Sequence, residues 1–171
     1  MAAGRLTKQK NFSFLINEFS EFSKKNENYI LIILGEGEER KNLNKLIFKN
    51  KMNNRIFIPG KVSGIYKYMK KSDVFVLSSL WEEVGFVIVE AALSNLFVIS
   101  SNCPNGPSEF LSEGRGGILF ENNRTHALSE AFKQYCSLEE KNKYLSISKK
   151  NVFKYTKYRH YLKLKKILGN L

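Results

Sequence analysis

The chain is poor in cysteine and proline, with two Cys and three Pro among its 171 residues. This composition excludes disulfide-stapled scaffolds, collagen-like repeats and proline-rich linkers. We find no secretory leader ahead of the cysteines and therefore expect a reducing, cytoplasmic setting. No apolar run approaches the roughly 20 residues that a membrane-spanning helix requires. We therefore expect a protein that does not cross a membrane.

Residues that commonly bind metal ions are also scarce. The sequence has one aspartate, Asp73, and two isolated histidines, His126 and His160. Neither the histidines nor the cysteines stand at the spacing of metal ligands, so we expect no metal site. Cys103 lies in the loop at 102–106, and we expect its thiol to take no part in chemistry.

The overall composition is that of a folded protein, with 43% hydrophobic, 13% aromatic and 26% charged residues. A chain of this length buries roughly 70% of the surface that its unfolded form exposes. This burial is enough to build the core of a single domain without disulfides or metal ions.

The positive charge, net +12, is concentrated at one end of the chain. Residues 141–171 hold ten of the 28 Lys and Arg side chains and no Asp or Glu, whereas the other 18 cations nearly balance the 16 acidic residues. Such a basic tail favours a polyanion, either nucleic acid or an anionic membrane surface. A solvated helix face explains the same charge equally well.

Apolar periodicity predicts strands that alternate with helices. After a strand stub at the start, the strands fall at 29–34, 56–58, 74–77, 97–100 and 118–120. The helices fall at 12–22, from 38 onward, and at 65–71, 85–93, 107–111 and 125–136. This order is typical of an α/β fold with a parallel sheet covered by helices on both faces. We predict one such domain over 1–136 and a basic helical extension over 137–171.

Ligands of open parallel sheets bind outside the carboxyl ends of the strands, where helix N-termini offer free N–H groups. Two such loops carry suitable side chains. Glu82 and Glu90 flank the predicted start of the helix near Gly85, and carboxylates can accept paired hydrogen bonds from vicinal sugar hydroxyls. Two Glu near a helix start are also common as residues that only compensate the helix dipole.

The second loop follows the strand stub and carries two cations, Arg5 and Lys10. Cations at the carboxyl edge of a sheet suit a diphosphate, because Arg makes paired contacts and Lys supplies a compact charge. Taken alone, the pair is also compatible with ordinary solvated side chains.

Six motifs follow one another along roughly 2–132: Gly4-Arg5…Lys10-Asn11, Ile33-Leu-Gly-Glu-Gly37, Ile56-Phe-Ile-Pro-Gly60, Ser72-Asp-Val-Phe-Val-Leu-Ser78, Glu82-x7-Glu90 and Phe97-Val-Ile-Ser…Gly106-Pro-Ser-Glu109. In their order and spacing they resemble the C-terminal domain of family 4 glycosyltransferases. Members of this family have the GT-B architecture of two Rossmann-like domains. They transfer a sugar from a nucleotide-activated donor with retention of configuration, and the second domain holds the donor.

The resemblance implies a role for each matching residue. Arg5 and Lys10 would grip the donor diphosphate and offset the charge of the leaving group, Glu82 would lie near the donor sugar, and Glu90 would bind the ribose hydroxyls. Main-chain groups would contact the phosphate and sugar oxygens at Gly85, Phe86 and Val87, and would border the base at Gly60, Lys61 and Val62. No cofactor is implied beyond the substrate, a nucleotide-diphosphate sugar expected to be of the UDP type.

The chain departs from the family pattern in sequence and in length. The family usually has Gly-Phe-Gly after the first Glu, where this chain reads Glu83-Val84-Gly85, and Asn95 and Phe97 replace a frequent Gly and Pro. Family members are about twice as long. We therefore expect the acceptor-binding N-terminal half to be missing, as in an excised domain, a truncated reading frame or one subunit of a split enzyme.

We therefore predict the donor-binding half of a retaining, metal-independent glycosyltransferase of surface polysaccharide synthesis, inactive alone. Its expected partners are the donor, an N-terminal domain or partner subunit, and an anionic membrane on whose inner face it would lie. The lone aspartate excludes the Asp-x-Asp clamp of metal-dependent glycosyltransferases. The alternative is a non-enzymatic nucleotide- or nucleic-acid-binding module. Nucleic acid is not expected, because the near-neutral body lacks a nucleic-acid motif.

Overall fold

Six short strands alternate with helices along the chain, and a helical region follows them. The computed structural model describes residues 1–83 and 85–168, apart from the side chains of Lys157, His160 and Lys163. The strands are β1 (Ala2–Ala3), β2 (Leu31–Leu34), β3 (Ile56–Gly60), β4 (Val74–Leu77), β5 (Phe97–Ser101) and β6 (Ile118–Phe120). The helices are α1 (Phe12–Ser23), α2 (Arg40–Lys49), α3 (Ile65–Met69), α4 (Phe86–Leu93), α5 (Pro107–Phe110), α6 (Ala127–Ser137), α7 (Lys141–Val152) and α8 (Lys157–Leu168).

The strands form two parallel sheets of three, β1-β2-β3 and β4-β5-β6. Met1 joins them: its carbonyl accepts a hydrogen bond from the Val76 N–H at 2.8 Å, and its nitrogen donates to the Val74 carbonyl at 2.6 Å. The combined order is therefore β3-β2-β1-β4-β5-β6. This is the doubly wound order whose topological switch point lies between β1 and β4. The predicted α/β fold with a parallel sheet is confirmed.

Alternate residues of the strands feed two hydrophobic cores, one on each face of the sheet. In β5, Phe97 and Ile99 pack into the core formed with α1, α2 and α6, whereas Val98 packs into the core formed with α3, α4, α5 and α7. Side chains of a strand point alternately to opposite faces, so strands covered on both sides need apolar residues throughout. This requirement explains the uninterrupted apolar runs in the sequence.

Most predicted elements are confirmed, and no boundary is wrong by more than two residues, as the start of β2 illustrates. The prediction began this strand at Tyr29, but β2 begins at Leu31, and Tyr29 and Ile30 are exposed. The Arg55 side chain explains the late start, because its guanidinium donates to the Tyr29 carbonyl at 2.7 Å. A carbonyl held by a side chain is not available to a strand ladder. Helix α2 also starts later than predicted, at Arg40.

Two glycines let the loop after β2 lie directly on the loop after β1. A Cβ atom at Gly35 would overlap the carbonyl oxygen of Gly4, and one at Gly37 would overlap the main chain of Leu6. The close approach permits two hydrogen bonds, from the Leu6 N–H to the Glu36 carbonyl at 2.8 Å and from the Glu39 N–H to the Leu6 carbonyl at 3.0 Å. The Gly-Glu-Gly motif therefore has a structural function: it shapes the loop that carries the candidate cations.

The helical region after β6 is partly built into the folded body. Helix α7 packs against α4, α5 and β5, and its last residue, Val152, lies in the core. The Asn151 amide, also buried, donates to the Phe110 carbonyl at 2.7 Å and to the Ser112 hydroxyl at 2.8 Å. Helix α8 instead contacts mainly the turn at 153–155 and exposes its apolar side chains. The domain boundary at 136/137 stays a prediction. Within the described residues, no helix combines the length and apolar character that crossing a bilayer demands.

We expect Asn151→Ala to lower the free energy of unfolding by about 1 to 3 kcal/mol, because the buried Phe110 carbonyl loses its amide donor. Asn142→Ala, at an exposed position of the same helix, should change it by less than about 0.5 kcal/mol. Urea unfolding of both variants measures the difference. Equal losses would mean that α7 is not held to the body through Asn151.

Candidate functional site

A cleft of about 800 Å³ opens at the carboxyl edge of the sheet. It lies at the switch point, between the loops that follow β1 and β4, with the start of α4 and the loops after β2 and β3 around it. Its walls include eight of the ten predicted site residues: Arg5, Lys10, Lys61, Val62, Glu82, Gly85, Phe86 and Val87. Open parallel sheets bind their ligands at this position.

An ion pair at the base of the cleft joins the two principal loops. The Lys10 ammonium donates to Oε1 of Glu82 at 2.5 Å, although the two residues lie 72 positions apart in the sequence. The Ser79 hydroxyl donates to the same oxygen, also at 2.5 Å. Glu82 is 6% exposed. A carboxylate this buried requires such partners, because desolvation otherwise disfavours its charge.

Hydrogen bonds to main-chain carbonyls hold these loops in register. The Leu80 N–H donates to the Gln9 carbonyl at 2.8 Å, and the Ser78 hydroxyl donates to the Lys10 carbonyl at 2.8 Å. The Ser101 hydroxyl secures the other side of the loop by donating to the Ser79 carbonyl at 2.7 Å. Because none of these contacts uses the side chain of Lys10 or Glu82, those two side chains can change partners without breaking them.

Two further cations line the cleft and have no ion-pair partner among the described residues. Arg5 and Lys61 are both exposed and lie on loops that follow β1 and β3. By contrast, the cleft-lining Glu36 is neutralised by Arg40 at 2.7 Å, and Arg40 also donates to the Ile58 carbonyl at 2.8 Å. The cleft therefore offers unpaired positive charge at Arg5 and Lys61, beside one carboxylate, Glu83, that likewise has no ion-pair partner among the described residues.

Helix α4 begins at the wall of the cleft. Gly85 precedes it in the left-handed conformation, with φ of +66°, which glycine adopts without the cost that a side chain would add. The first N–H groups of a helix have no partner within the helix, and the helix dipole makes this end positive. This end can bind an anion. The Val84 departure from the family pattern lies outside the described residues.

Two predicted site residues do not line the cleft. Gly60 is buried at the end of β3, where its carbonyl accepts a hydrogen bond from the Gly35 N–H at 2.9 Å. Glu90 lies half-buried in α4, one turn beyond the residues that line the wall. Arg5, Lys10 and Glu82 thus line one cleft, and Glu90 is not among its lining residues. The ligand roles of all these residues stay predictions.

Comparison with known proteins identifies the family. Residues 1–152 match the family described as Glycosyl transferases group 1. The chain belongs to this glycosyltransferase family.

A curated relative, an uncharacterized glycosyltransferase of Methanocaldococcus jannaschii, is 44% identical over 108 residues. These residues are 63% of this chain and 27% of the relative. The chain therefore spans about a quarter of that relative's length.

Solved structures show the same fold. S. aureus TarM, in complex with Fondaparinux, alpha-GlcNAc-glycerol and UDP, matches with a TM-score of 0.87 at 23% identity, over 98% of this chain and 34% of TarM. The C-terminal domain of a glycosyl transferase group 1 family protein from Francisella tularensis matches with a TM-score of 0.78 at 21% identity, over 92% of this chain and 84% of that domain. The chain has the Rossmann-like fold of one half of a GT-B glycosyltransferase.

Sequence reasoning missed several residues at the cleft of this glycosyltransferase. Gln9, Glu36 and Trp81 line its walls, and Ser79 holds Glu82 from below. The Gln9 amide also donates to the Trp81 carbonyl at 2.9 Å. Ser79 had a detectable signal, since it stands in the same strand-end loop as Glu82. The other three are placed by loop packing, which leaves no periodic pattern in the sequence.

Cys103 lies beneath the loop that carries Glu82. The thiol is buried, and this burial raises the pKa of Cys103 above its ordinary value. A raised pKa keeps the thiol protonated and weakly nucleophilic at neutral pH.

Within the described residues, no three His, Cys, Asp or Glu side chains come close enough together to hold a metal ion.

We expect Lys10→Ala to lower the free energy of unfolding by about 3 kcal/mol, because it leaves the buried Glu82 carboxylate without its cation. Lys8→Ala, at an exposed position of the same turn, should cost less than about 0.5 kcal/mol. Adding Glu82→Gln to Lys10→Ala should recover part of the loss, because the uncompensated charge is then gone. Urea unfolding tests all three variants, and no recovery in the double variant would contradict the ion-pair explanation.

Proposed function

We propose that this chain is the donor-binding half of a retaining, metal-independent glycosyltransferase whose cleft binds a nucleotide-diphosphate sugar of the UDP type. The observation that carries the proposal is the convergence of Arg5, Lys10, Glu82 and the start of α4 on one cleft at the switch point. Membership of a glycosyltransferase family favours this function over the non-enzymatic module considered from the sequence.

The diphosphate would lie between the cationic loop and the start of α4. Arg5 has no ion-pair partner among the described residues, and its guanidinium can make paired contacts with phosphate oxygens. The first N–H groups of α4 would face the same oxygens. Lys10 would add a compact charge. These groups would offset the charge that develops on the leaving diphosphate, which is the work that a divalent cation does in metal-dependent transferases.

The donor sugar would lie over Glu82 at the base of the cleft. A carboxylate can accept hydrogen bonds from sugar hydroxyls and would fix the orientation of the ring. Two further assignments come from the family resemblance. Glu90 would bind the ribose hydroxyls, and the main chain at 60–62 would border the base. The acceptor is proposed to be a glycan or lipid-linked glycan of surface polysaccharide synthesis.

A nucleoside diphosphate should raise the melting temperature of the chain in the presence of EDTA, because only the folded state offers the site. UDP, GDP and ADP at millimolar concentration form the test panel. No shift with any of them would argue strongly against the site.

Arg5→Ala should weaken the binding of UDP by about 1.5 to 3 kcal/mol while affecting uridine less.

Lys8→Ala is the matched control for this measurement, because it removes an exposed cation from the same loop without touching the cleft. It should leave both affinities nearly unchanged. Equal losses for UDP and uridine in Arg5→Ala would place Arg5 away from the diphosphate.

Transfer should require an N-terminal acceptor-binding domain in addition to these 171 residues. The chain spans only 27% of its M. jannaschii relative. An acceptor-binding domain over the cleft would exclude water and align the acceptor with the donor. We expect the isolated chain to be inactive and to gain activity when such a domain is fused or added as a partner. The release of UDP measures sugar transfer. Transfer by the isolated chain would overturn this expectation.

We further propose that α8 contacts an anionic membrane surface. Tyr161, Leu164 and Leu168 are exposed along the helix beside Lys165 and Lys166. Apolar and basic side chains on one exposed helix are typical of helices that lie in the membrane interface. Leu171 and the side chains of Lys157 and Lys163, which extend this pattern in the sequence, lie outside the described residues.

Co-sedimentation with phosphatidylserine vesicles should fall when the chain ends at Thr156 instead of Leu171. Each basic residue near an anionic leaflet contributes up to about 1 kcal/mol, so the loss should be clear at moderate salt. Neutral phosphatidylcholine vesicles are the control. Unchanged partitioning on anionic vesicles would remove the membrane proposal and favour packing of α8 on an N-terminal domain.

A further inference from the structure

At the base of the cleft, the Glu82 carboxylate already binds Lys10, the cation that would hold the donor diphosphate. Lys10 contacts Oε1 of Glu82 at 2.5 Å, so Lys10 can bind phosphate fully only by giving up part or all of this contact. This inference rests on the proposed function. We propose that Glu82 competes with the diphosphate for Lys10 and thereby makes the site prefer a nucleotide sugar over the free nucleoside diphosphate.

The hydrogen bonds of Glu82 show what the carboxylate would lose. Its two described donors, Lys10 and Ser79, both bind Oε1, and Oε2 receives no hydrogen bond from the described residues. When Lys10 turns to phosphate, Ser79 remains as the one described donor. A carboxylate that is 6% exposed is already largely desolvated, so the loss of its cation leaves a buried charge uncompensated, at a cost in free energy. Any ligand that takes Lys10 therefore bears this cost unless it brings a replacement donor.

The two ligands differ in this respect. A nucleoside diphosphate takes the ammonium of Lys10 and adds a second anion near Glu82, with no donor for the carboxylate. A nucleotide sugar takes Lys10 in the same way, but its hydroxyl groups can donate to Glu82. The cost of separating the ion pair is thus offset for the substrate and remains for the product. Weaker binding of the product favours its release after transfer.

Ser79 acts here as a positioning residue. Its side chain is fully buried, and its carbonyl is held by the Ser101 hydroxyl at 2.7 Å and the Asn122 amide at 3.3 Å. The Ser79 hydroxyl therefore stays in place when Lys10 leaves. It keeps Oε1 of Glu82 partly satisfied and lowers the cost of the exchange.

The decisive measurement is calorimetric titration of the full chain with UDP. Glu82→Gln removes the competing charge and should tighten UDP binding about tenfold, since hydrogen bonds to charged groups are stronger than neutral ones. Damage to the fold cannot produce tighter binding. Glu38→Gln is the control, because it makes the same charge change at an exposed position of a neighbouring loop outside the cleft. It should change the affinity less than about twofold, since exposed charges are screened.

The preference itself is measured with UDP-glucose and UDP-N-acetylglucosamine. The wild-type chain should bind at least one of them more tightly than UDP, and this ratio should fall in Glu82→Gln. An unchanged ratio, a wild-type chain that binds neither sugar nucleotide more tightly than UDP, or equal UDP affinity in wild type and Glu82→Gln would overturn this inference alone. Absence of UDP binding in every variant would overturn the proposed function and this inference with it.

Ser79→Ala tests the positioning role in the opposite direction. It should weaken UDP binding several-fold, because Glu82 then loses its remaining described donor when Lys10 leaves. Ser100→Ala, which removes another fully buried serine hydroxyl that does not contact Glu82, is the control. In the Glu82→Gln background the Ser79→Ala effect should vanish. A loss of equal size in both backgrounds would show a general structural defect and overturn the role of Ser79.

Discussion

The contact between the Lys10 ammonium and the buried Glu82 carboxylate is the constraint on which the cleft depends. It links the loop after β1 to the loop after β4, across the junction where the two three-stranded sheets meet. A carboxylate at this depth is tolerated because a cation and a hydroxyl satisfy it. The same pair makes the base of the cleft polar and leaves Arg5 free at the wall.

The surrounding backbone makes this arrangement rigid without using the side chains that would bind a ligand. Gly35 and Gly37 let the loop after β2 lie against the loop after β1, and hydrogen bonds from Leu80 and Ser78 tie that loop to β4. Preorganised loops with side chains free to change partners suit a site that must bind a charged substrate and release a charged product.

The two C-terminal helices, α7 and α8, have similar charge but differ in how they pack. Both α7 and α8 are rich in lysine, yet α7 buries Asn151 and Val152 against the body, whereas α8 exposes its apolar side chains. A basic composition therefore does not distinguish a helix packed against the body from one whose described apolar side chains are exposed. The separation arises because α7 presents a few uncharged residues on the face that meets α4 and α5.

The sequence by itself determined the order of strands and helices, because strands buried on both faces need apolar runs and amphipathic helices need a periodic stripe. It also placed Arg5, Lys10 and Glu82 at strand ends, and motif order carried the family resemblance. It could not determine where β2 begins, since that depends on Arg55, 26 residues away from Tyr29. Only the tertiary structure decided that Lys10 meets Glu82, that Ser79 shares its oxygen and that Glu90 is not among the residues lining the cleft. Lys10 and Glu82 lie 72 residues apart and are brought together by loop packing and strand order, so no local spacing in the sequence encodes their contact.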